Sequence, residues 1–416
     1  MAWQRSSVRA RLAPFLRFMA SQPNSDHGAA SIERRLVAVM SAVVFVDTMF
    51  FAVIAPLLPR LAHELHLSKL SAGVMTASYP VGTLVGSLPG GVLAARAGPK
   101  ATVVAGLTML AGSTVAFAFL HNAAALDCAR FVQGVGGAFS WAGGLAWIVA
   151  ETPSERRGAL IGRAMAAAIG GALFGPAIGT LANAIGRQAA FSAVVVIAAL
   201  LVAETRRLPS RHVRSEQGVG SLLAAIAKPG VAVAMWLVAL PALASGALDV
   251  LAPLRLNHLG ASAVAIGATF LLAATAEAGV SPAVGSLSDR RGRLVPLRLG
   301  LAGAAALLFC FTLPGGALAL AALVVAIGAA LGAFWAPAMA LLTDAAERRG
   351  LDYGLTAALT NLAWAGGQIL GSGAGGAIAN DAGDAASMTI AAGLCLATLV
   401  LLMRPASVRS LIAPAR

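Results

Sequence analysis

Residues 230–254 read GVAVAMWLVALPALASGALDVLAPL, with a single charged side chain, Asp249. Coiled as an α-helix rising about 1.5 Å per residue, this run outreaches the roughly 30 Å hydrocarbon core of a bilayer. A helix apolar on every side either lies buried in a large core or crosses a membrane. The rest of the chain decides between these, because comparable runs recur along nearly all of it. Before this run they cover 36–58, 71–93, 102–120, 125–149, 162–183 and 189–204; after it, 264–286, 296–313, 317–342, 355–378 and 386–404. The fold class predicted is therefore an all-α membrane protein with twelve spans, of which 189–204 is the shortest.

Composition agrees. Of 416 residues, 58% are hydrophobic and 11% are charged, whereas a soluble domain carries about a quarter charged residues. The net charge of +13 would suit a nucleic-acid binder, but its placement does not. Twenty-five of the 30 Lys and Arg fall in the tails, in alternate connections or at the span ends that border them. The opposite connections hold Arg60, Lys69, Arg187 and Arg255, and Arg130 sits inside a span. This positive-inside bias puts both termini in the cytoplasm and makes the basic charge a matter of topology. Residues 1–35, with Arg5, Arg9, Arg11, Arg17, Arg34 and Arg35 and no long apolar core, are expected to form a cytoplasmic tail rather than a cleaved leader. Cys128, Cys310 and Cys395 lie in or beside apolar runs with no C-x-x-C spacing, and read as small buried hydrophobes.

The longest polar gap, 205–229, splits the runs into two groups of six, spanning 36–204 and 230–404, with 405–416 as a cytoplasmic tail. The halves repeat. Ala55-Pro56-Leu57 ends the first run and Ala252-Pro253-Leu254 the seventh; Gly91-Val92-Leu93 closes the second and Gly285-Ser286-Leu287 the eighth, at offsets of 197 and 194 residues. Both halves begin on the same side, so the repeat is parallel, and a solute path is expected between them. The 46 glycines concentrate inside the runs, where small residues let helices approach closely.

Three motifs then stand out. The first is Gly285-Ser286-Leu287-Ser288-Asp289-Arg290-Arg291-Gly292-Arg293 after the eighth run, with a degenerate copy, Gly91 to Lys100, after the second. That copy keeps Arg96 and Gly98 but has Ala95 at the acidic place. Its glycines permit a tight turn, and a carboxylate there can dock on a helix N-terminus. The second is Arg130-Phe131-Val132-Gln133-Gly134 in the fourth run. An arginine in a span needs a partner or water: Asp127, three residues earlier, is one choice, and Asp47 or a proton pathway the other. The third is Gly162-x8-Gly171-x3-Gly175-Pro176-x2-Gly179 in the fifth run. Its glycines form a groove for another helix, and its proline bends the rod.

On these motifs the chain, from 36 to about 404, resembles the major facilitator superfamily, within it the twelve-helix drug–proton antiporters and vesicular amine carriers. The first motif resembles that family's loop motif, the second its R-x-x-Q-G, and the third its antiporter motif except at Thr180. Asp47-Thr48-Met49 with Ala55-Pro56-Leu57-Leu58-Pro59 resembles the first helix of the amine and drug carriers. Asn361-Leu362-Ala363 through Gly375-Gly376-Ala377-Ile378 resembles their eleventh, with Asn361 where the vesicular carriers have an acid. The resemblance implies a latch at the loop motif, which Ala95 calls into question in the first half.

Asp47, Asp249 and Glu277 sit inside spans. An ionised carboxylate there costs several kcal/mol, so such a residue faces a cavity, finds a partner or takes up a proton. Asp47 and Glu277 lie near mid-depth; Asp249 lies nearer the outer end, where water can reach. Each has a structural alternative: a pair with Arg130 for Asp47, a helix–helix hydrogen bond for Glu277. Phe50, Trp141, Trp335, Asn361, Trp364 and Gln368 are candidate cavity-lining residues, suited to an apolar or cationic organic solute. His63-Glu64-Leu65-His66 has its second histidine one place early for a metalloprotease helix and is expected to be a solvated turn; no metal site is expected. Neither a P-loop nor a G-x-S-x-G is present, and Gly134-Val135-Gly136 follows no strand, so the chain is not expected to be an enzyme or to hold a cofactor. The expected function is a proton-coupled antiporter exporting small organic molecules, working as a monomer in the cytoplasmic membrane with the proton gradient as its energy source. A symporter or facilitator for a sugar or other metabolite is the alternative, and a non-transporting membrane sensor a further one.

Overall fold

The computed structural model describes residues 23–152, 154–210, 219–351 and 353–404; the tail arginines Arg5, Arg9, Arg11 and Arg17 and residues 211–218 of the central connection lie outside them. The described residues form helices and no strand. In chain order these are α1 (Pro23–Ala52), α2 (Ile54–Glu64), α3 (Lys69–Arg96), α4 (Pro99–Phe119), α5 (Ala123–Glu151), α6 (Ser154–Ile185) and α7 (Arg187–Arg207). The short α8 (Val219–Ile226) precedes α9 (Pro229–His258), α10 (Ala263–Arg291), α11 (Leu294–Phe309), α12 (Ala317–Glu347), α13 (Tyr353–Ile369), a π-helical turn (Leu370–Ala374) and α14 (Gly375–Met403).

Eight helical runs are long and apolar enough to cross a membrane by length and composition. One of them, Leu355–Met403, holds two of the expected spans and is folded at Gly383 (φ +84°). The glycine-rich α3 and α5 do not pass on composition. Two expected boundaries move. The first span continues to Glu64, broken at Val53 rather than ended at 58, so His63 and Glu64 occupy the last turn of α2 instead of a solvated turn. The expected connection 379–385 shrinks to Gly383 alone. Cys395 is buried as expected, but Cys128 is exposed.

The repeat extends to backbone detail. Ser68 caps α3, its hydroxyl accepting the Ser71 amide at 3.1 Å, and Ser262 caps α10, accepting from Ala265 at 3.2 Å. Gly98 (φ +92°) and Gly292 (φ +78°) turn the chain after α3 and α10, and Gly186 (φ +91°) turns it where Gly383 does in the second half. With ψ near 157° at Gly98 and Gly292, these positions occupy a region open essentially to glycine alone. Gly98→Ala or Gly292→Ala should therefore cost about 1–3 kcal/mol, read as a lowered Tm in detergent. Gly91→Ala and Gly285→Ala should not, because a Cβ at either would meet no atom within 4 Å.

The fifth-span glycines seat against the first span. A Cβ on Gly171 would strike the Phe45 carbonyl, one on Gly175 the Met49 carbonyl and Ala52, one on Gly179 the Val53 carbonyl and Pro56. Gly162 meets nothing and lies outside the seat. The second half holds an unpredicted counterpart 196 residues on: Gly367 against the Ala239 carbonyl, Gly371 against that of Leu243, Gly375 against Ala247. Pro176, inside α6, corresponds there to Ser372 in the π-helical turn, whose hydroxyl donates to the Gln368 carbonyl at 2.6 Å. Both devices interrupt regular helical hydrogen bonding at the same level, one by removing an amide, the other by widening a turn.

The two halves meet along α3 with α13–α14 and along α6 with α10. Gly73 packs on the backbone of Ser372 and Gly376, and Gly267 on Pro176 and Thr180. At the end where these spans begin or finish near Lys69 and His258, Lys69 Nζ donates to Asp384 Oδ1 at 2.5 Å and Arg255 lies 3.7 Å from the same carboxylate.

Candidate functional site

Asp47 lies in α1 and is 2% exposed. Both its oxygens are capped. The Tyr79 hydroxyl of α3 donates to Oδ1 at 2.5 Å, and the Trp141 indole N–H of α5 donates to Oδ2 at 3.0 Å. Charge-assisted bonds of this kind compensate a buried carboxylate without a cation in contact. Two glycines of α5 make the arrangement possible. A Cβ on Gly134 would strike the Tyr79 carbonyl, and one on Gly137 would run into the Asp47 carboxylate and lie 2.6 Å from the Tyr79 hydroxyl.

Arg130 forms an ion pair with neither of the carboxylates proposed for it from sequence. Its NH1 donates to the Phe50 carbonyl at 2.8 Å and to Gln133 Oε1 at 3.1 Å, its NH2 to the Phe51 carbonyl at 3.3 Å, and its guanidinium lies 5.0 Å over the Tyr79 ring. A buried guanidinium needs acceptors, and these two carbonyls, two and three residues before the interruption of the first span at Val53, supply them. Gln133 passes the network on, donating to Thr114 Oγ1 at 2.9 Å. Asp127 Oδ1 is buried without a partner.

The aromatic residue facing the seam is Phe51, not Phe50. Phe50 is buried against Phe191, ring centroids 5.8 Å apart. Phe51 meets Tyr79 of its own half at 5.2 Å and Trp364 of the other half at 5.2 Å, edge to face. Of the remaining candidates, Asn361 and Trp335 are half-buried, the latter packing on the hydrophobic core of the second half. Gln368 is buried, its Oε1 2.6 Å from where a Cβ on Gly246 would stand. Glu277 packs its side-chain stem over Gly332. Asp249 and Glu277 are half-buried, and among the described residues neither forms an ion pair.

In the second loop motif, Arg293 pairs with Asp344 and donates to the Ala340 carbonyl at 3.3 Å, while Arg290 is exposed. The side chain of Asp289 lies outside the described residues. In the first copy Arg96 is exposed, and Lys100 Nζ donates to the carbonyls of Arg206 and Leu208 at 2.6 and 2.8 Å. A pocket of about 500 Å³ between Arg60, His63, Asn183, Asn257 and Ile266 lies at the Lys69 end, apart from Asp47.

Tyr79, Phe51 and Gly137 were not among the expected site residues. Tyr79 offered a signal, being one of two tyrosines in the chain and mid-way along an apolar run. The assembled site can hold or pass a proton at an enclosed carboxylate, next to an aromatic contact made by both halves.

A family model described as Major Facilitator Superfamily matches residues 40–368. Multidrug resistance protein 1 of Bacillus subtilis is 28% identical over 177 residues, 42% of this chain and 46% of that protein. The human synaptic vesicular amine transporter is 27% identical over 332 residues, 77% of this chain and 64% of that one. The chain thus spans less than two thirds of either relative. In fold it is similar to the xylose transporter XylE from E. coli in a partially occluded inward-open conformation, with a TM-score of 0.69 at 15% identity, covering 90% of this chain and 97% of that one.

Proposed function

This chain belongs to the Major Facilitator Superfamily, and from that premise we propose that it is a proton-coupled antiporter that exports small organic molecules by alternating access. In this reading twelve spans form two six-helix bundles, 36–204 and 230–404, joined by the cytoplasmic connection 205–229. The tails 1–35 and 405–416 are both cytoplasmic, and a monomer works in the cytoplasmic membrane. The bundles rock about the seam between α3 and α13 and between α6 and α10. Solute binds there as Asp47, or one of Asp249 and Glu277, loses a proton to the cytoplasm. Protonation from outside then displaces it.

One observation carries this reading. A carboxylate enclosed within the helices, Asp47, is held by Tyr79 and Trp141 directly behind a contact between Phe51 of one half and Trp364 of the other. A buried acid beside a mobile seam can exchange its proton when the seam opens. The fifth-span glycine seat and the similarity to a multidrug resistance protein and a vesicular amine transporter add support for export. Proteoliposomes loaded with ethidium test it. An imposed pH gradient is expected to drive ethidium across the membrane against its own gradient. Flux indifferent to the pH gradient would leave a facilitator and remove the coupling.

A further inference from the structure

Resting on the reading of this seam as a proton-exchanging solute site, we infer that Tyr79 is the positioning residue that tells Asp47 whether the seam is occupied. Its hydroxyl and its ring face two different things. The hydroxyl donates to Asp47 Oδ1 at 2.5 Å. One ring contact is the Arg130 guanidinium at 5.0 Å, itself fixed by two backbone carbonyls and Gln133. The other is Phe51 at 5.2 Å, which leans in turn on Trp364 from the opposite half. The ring thus touches both a cation tied to its own half and an aromatic that reaches the other half across the seam.

With Trp364 against Phe51, the ring is held and the hydroxyl sits on the carboxylate. When the halves part at this level, Trp364 withdraws. An aromatic or cationic organic solute that fills its place keeps Phe51 pressed on Tyr79 and the hydroxyl on Oδ1, so Asp47 stays ionised. An empty seam frees the ring, the hydroxyl leaves, and Asp47 binds a proton from the open side. Tyr79 keeps its own proton throughout; the proton exchanged is the one on Asp47. Solute and proton then exclude each other without competing for the same atoms. The groups that face Asp47 are Tyr79 from α3 and Trp141 and Arg130 from α5; among the described residues α6, also packed on α1, brings no charged group to it.

Tyr79→Phe isolates the hydroxyl, since it keeps the ring between Arg130 and Phe51. In purified protein in detergent, the protons released per ethidium bound are expected to fall about fivefold or more in Tyr79→Phe. A second readout needs no solute. The Trp141 indole bonds to Asp47, so the wild type minus Trp141→Phe difference in tryptophan emission reports the Asp47 titration. Its midpoint is expected to move by about half a pH unit or more in Tyr79→Phe, the size of effect one hydrogen bond to a carboxylate has. A midpoint unchanged in Tyr79→Phe overturns the inference, whatever proton release does. So does full rescue of proton release by Phe in place of Tyr79 where Tyr79→Leu abolishes it, because the ring alone would then suffice. If wild-type protein binds ethidium without releasing a proton, the antiport reading fails, and the emission titration still decides the role of Tyr79.

Discussion

Asp47→Asn is expected to reduce pH-gradient-driven ethidium flux about tenfold or more, within the range over which two coupled sites influence each other. The amide is nearly the same size and fits the space that Gly137 leaves, but it cannot gain or lose a proton. Its oxygen can still accept from Tyr79. Its nitrogen would face the Trp141 indole, donor against donor, and leaving that buried N–H unpaired costs about 1–3 kcal/mol, within what a folded protein can bear. The protein should therefore fold, insert and exchange labelled ethidium across a membrane with no pH gradient. Gradient-driven accumulation and gradient-free exchange, measured on the same proteoliposomes, separate the two activities. Asp249→Asn and Glu277→Gln complete the comparison, because these acids lie inside spans of the other half with no ion pair among the described residues. Retention of full accumulation by Asp47→Asn, with loss in Asp249→Asn or Glu277→Gln, would move the coupling carboxylate to the second half and leave Asp47 a structural acid.

The second large effect lies in the paired glycine seats. Gly171→Val and Gly367→Val should each lower the Tm strongly and to a similar degree. In both, the added side chain meets a main-chain carbonyl of the facing helix, Phe45 or Ala239. Overpacking a filled contact costs about 1–3 kcal/mol where neighbours can yield, and a backbone in mid-helix yields least. Gly162→Ala belongs to the same sequence motif but has nothing within 4 Å and should be near neutral. If Gly367→Val is tolerated while Gly171→Val is not, the seats are not equivalent and the resemblance between the halves stops at the backbone.

That pair also marks how far the sequence could be read. The fifth-span motif announced itself through Gly175-Pro176, yet its counterpart has no proline, and a π-helical turn at Leu370–Ala374 takes the place of the missing break. Hydrogen-bond registers of this kind depend on what a helix packs against, and no residue in Gly371-Ser372-Gly373 signals one by itself. Arg130 shows the same limit. Spacing offered it Asp127 or Asp47, and the structure gave it the carbonyls of Phe50 and Phe51, on another helix and some eighty residues away along the chain.

The sequence by itself determined that this chain is helical, apolar on most of its surface, repeated in two halves, and marked by acids inside its spans. Those properties are set by composition and by intervals along the chain, since lipid admits few ways to satisfy a backbone. Tertiary structure alone decided which groups face one another: that Tyr79 and Trp141 cap Asp47, that Phe51 rather than Phe50 reaches Trp364, and that Gly137 leaves room for the pair. Adjacent residues on a helix point about 100° apart, so one step of rotation exchanges a core ring for a seam ring. That rotation is fixed by the glycine seats of other helices, which lie far away in the chain.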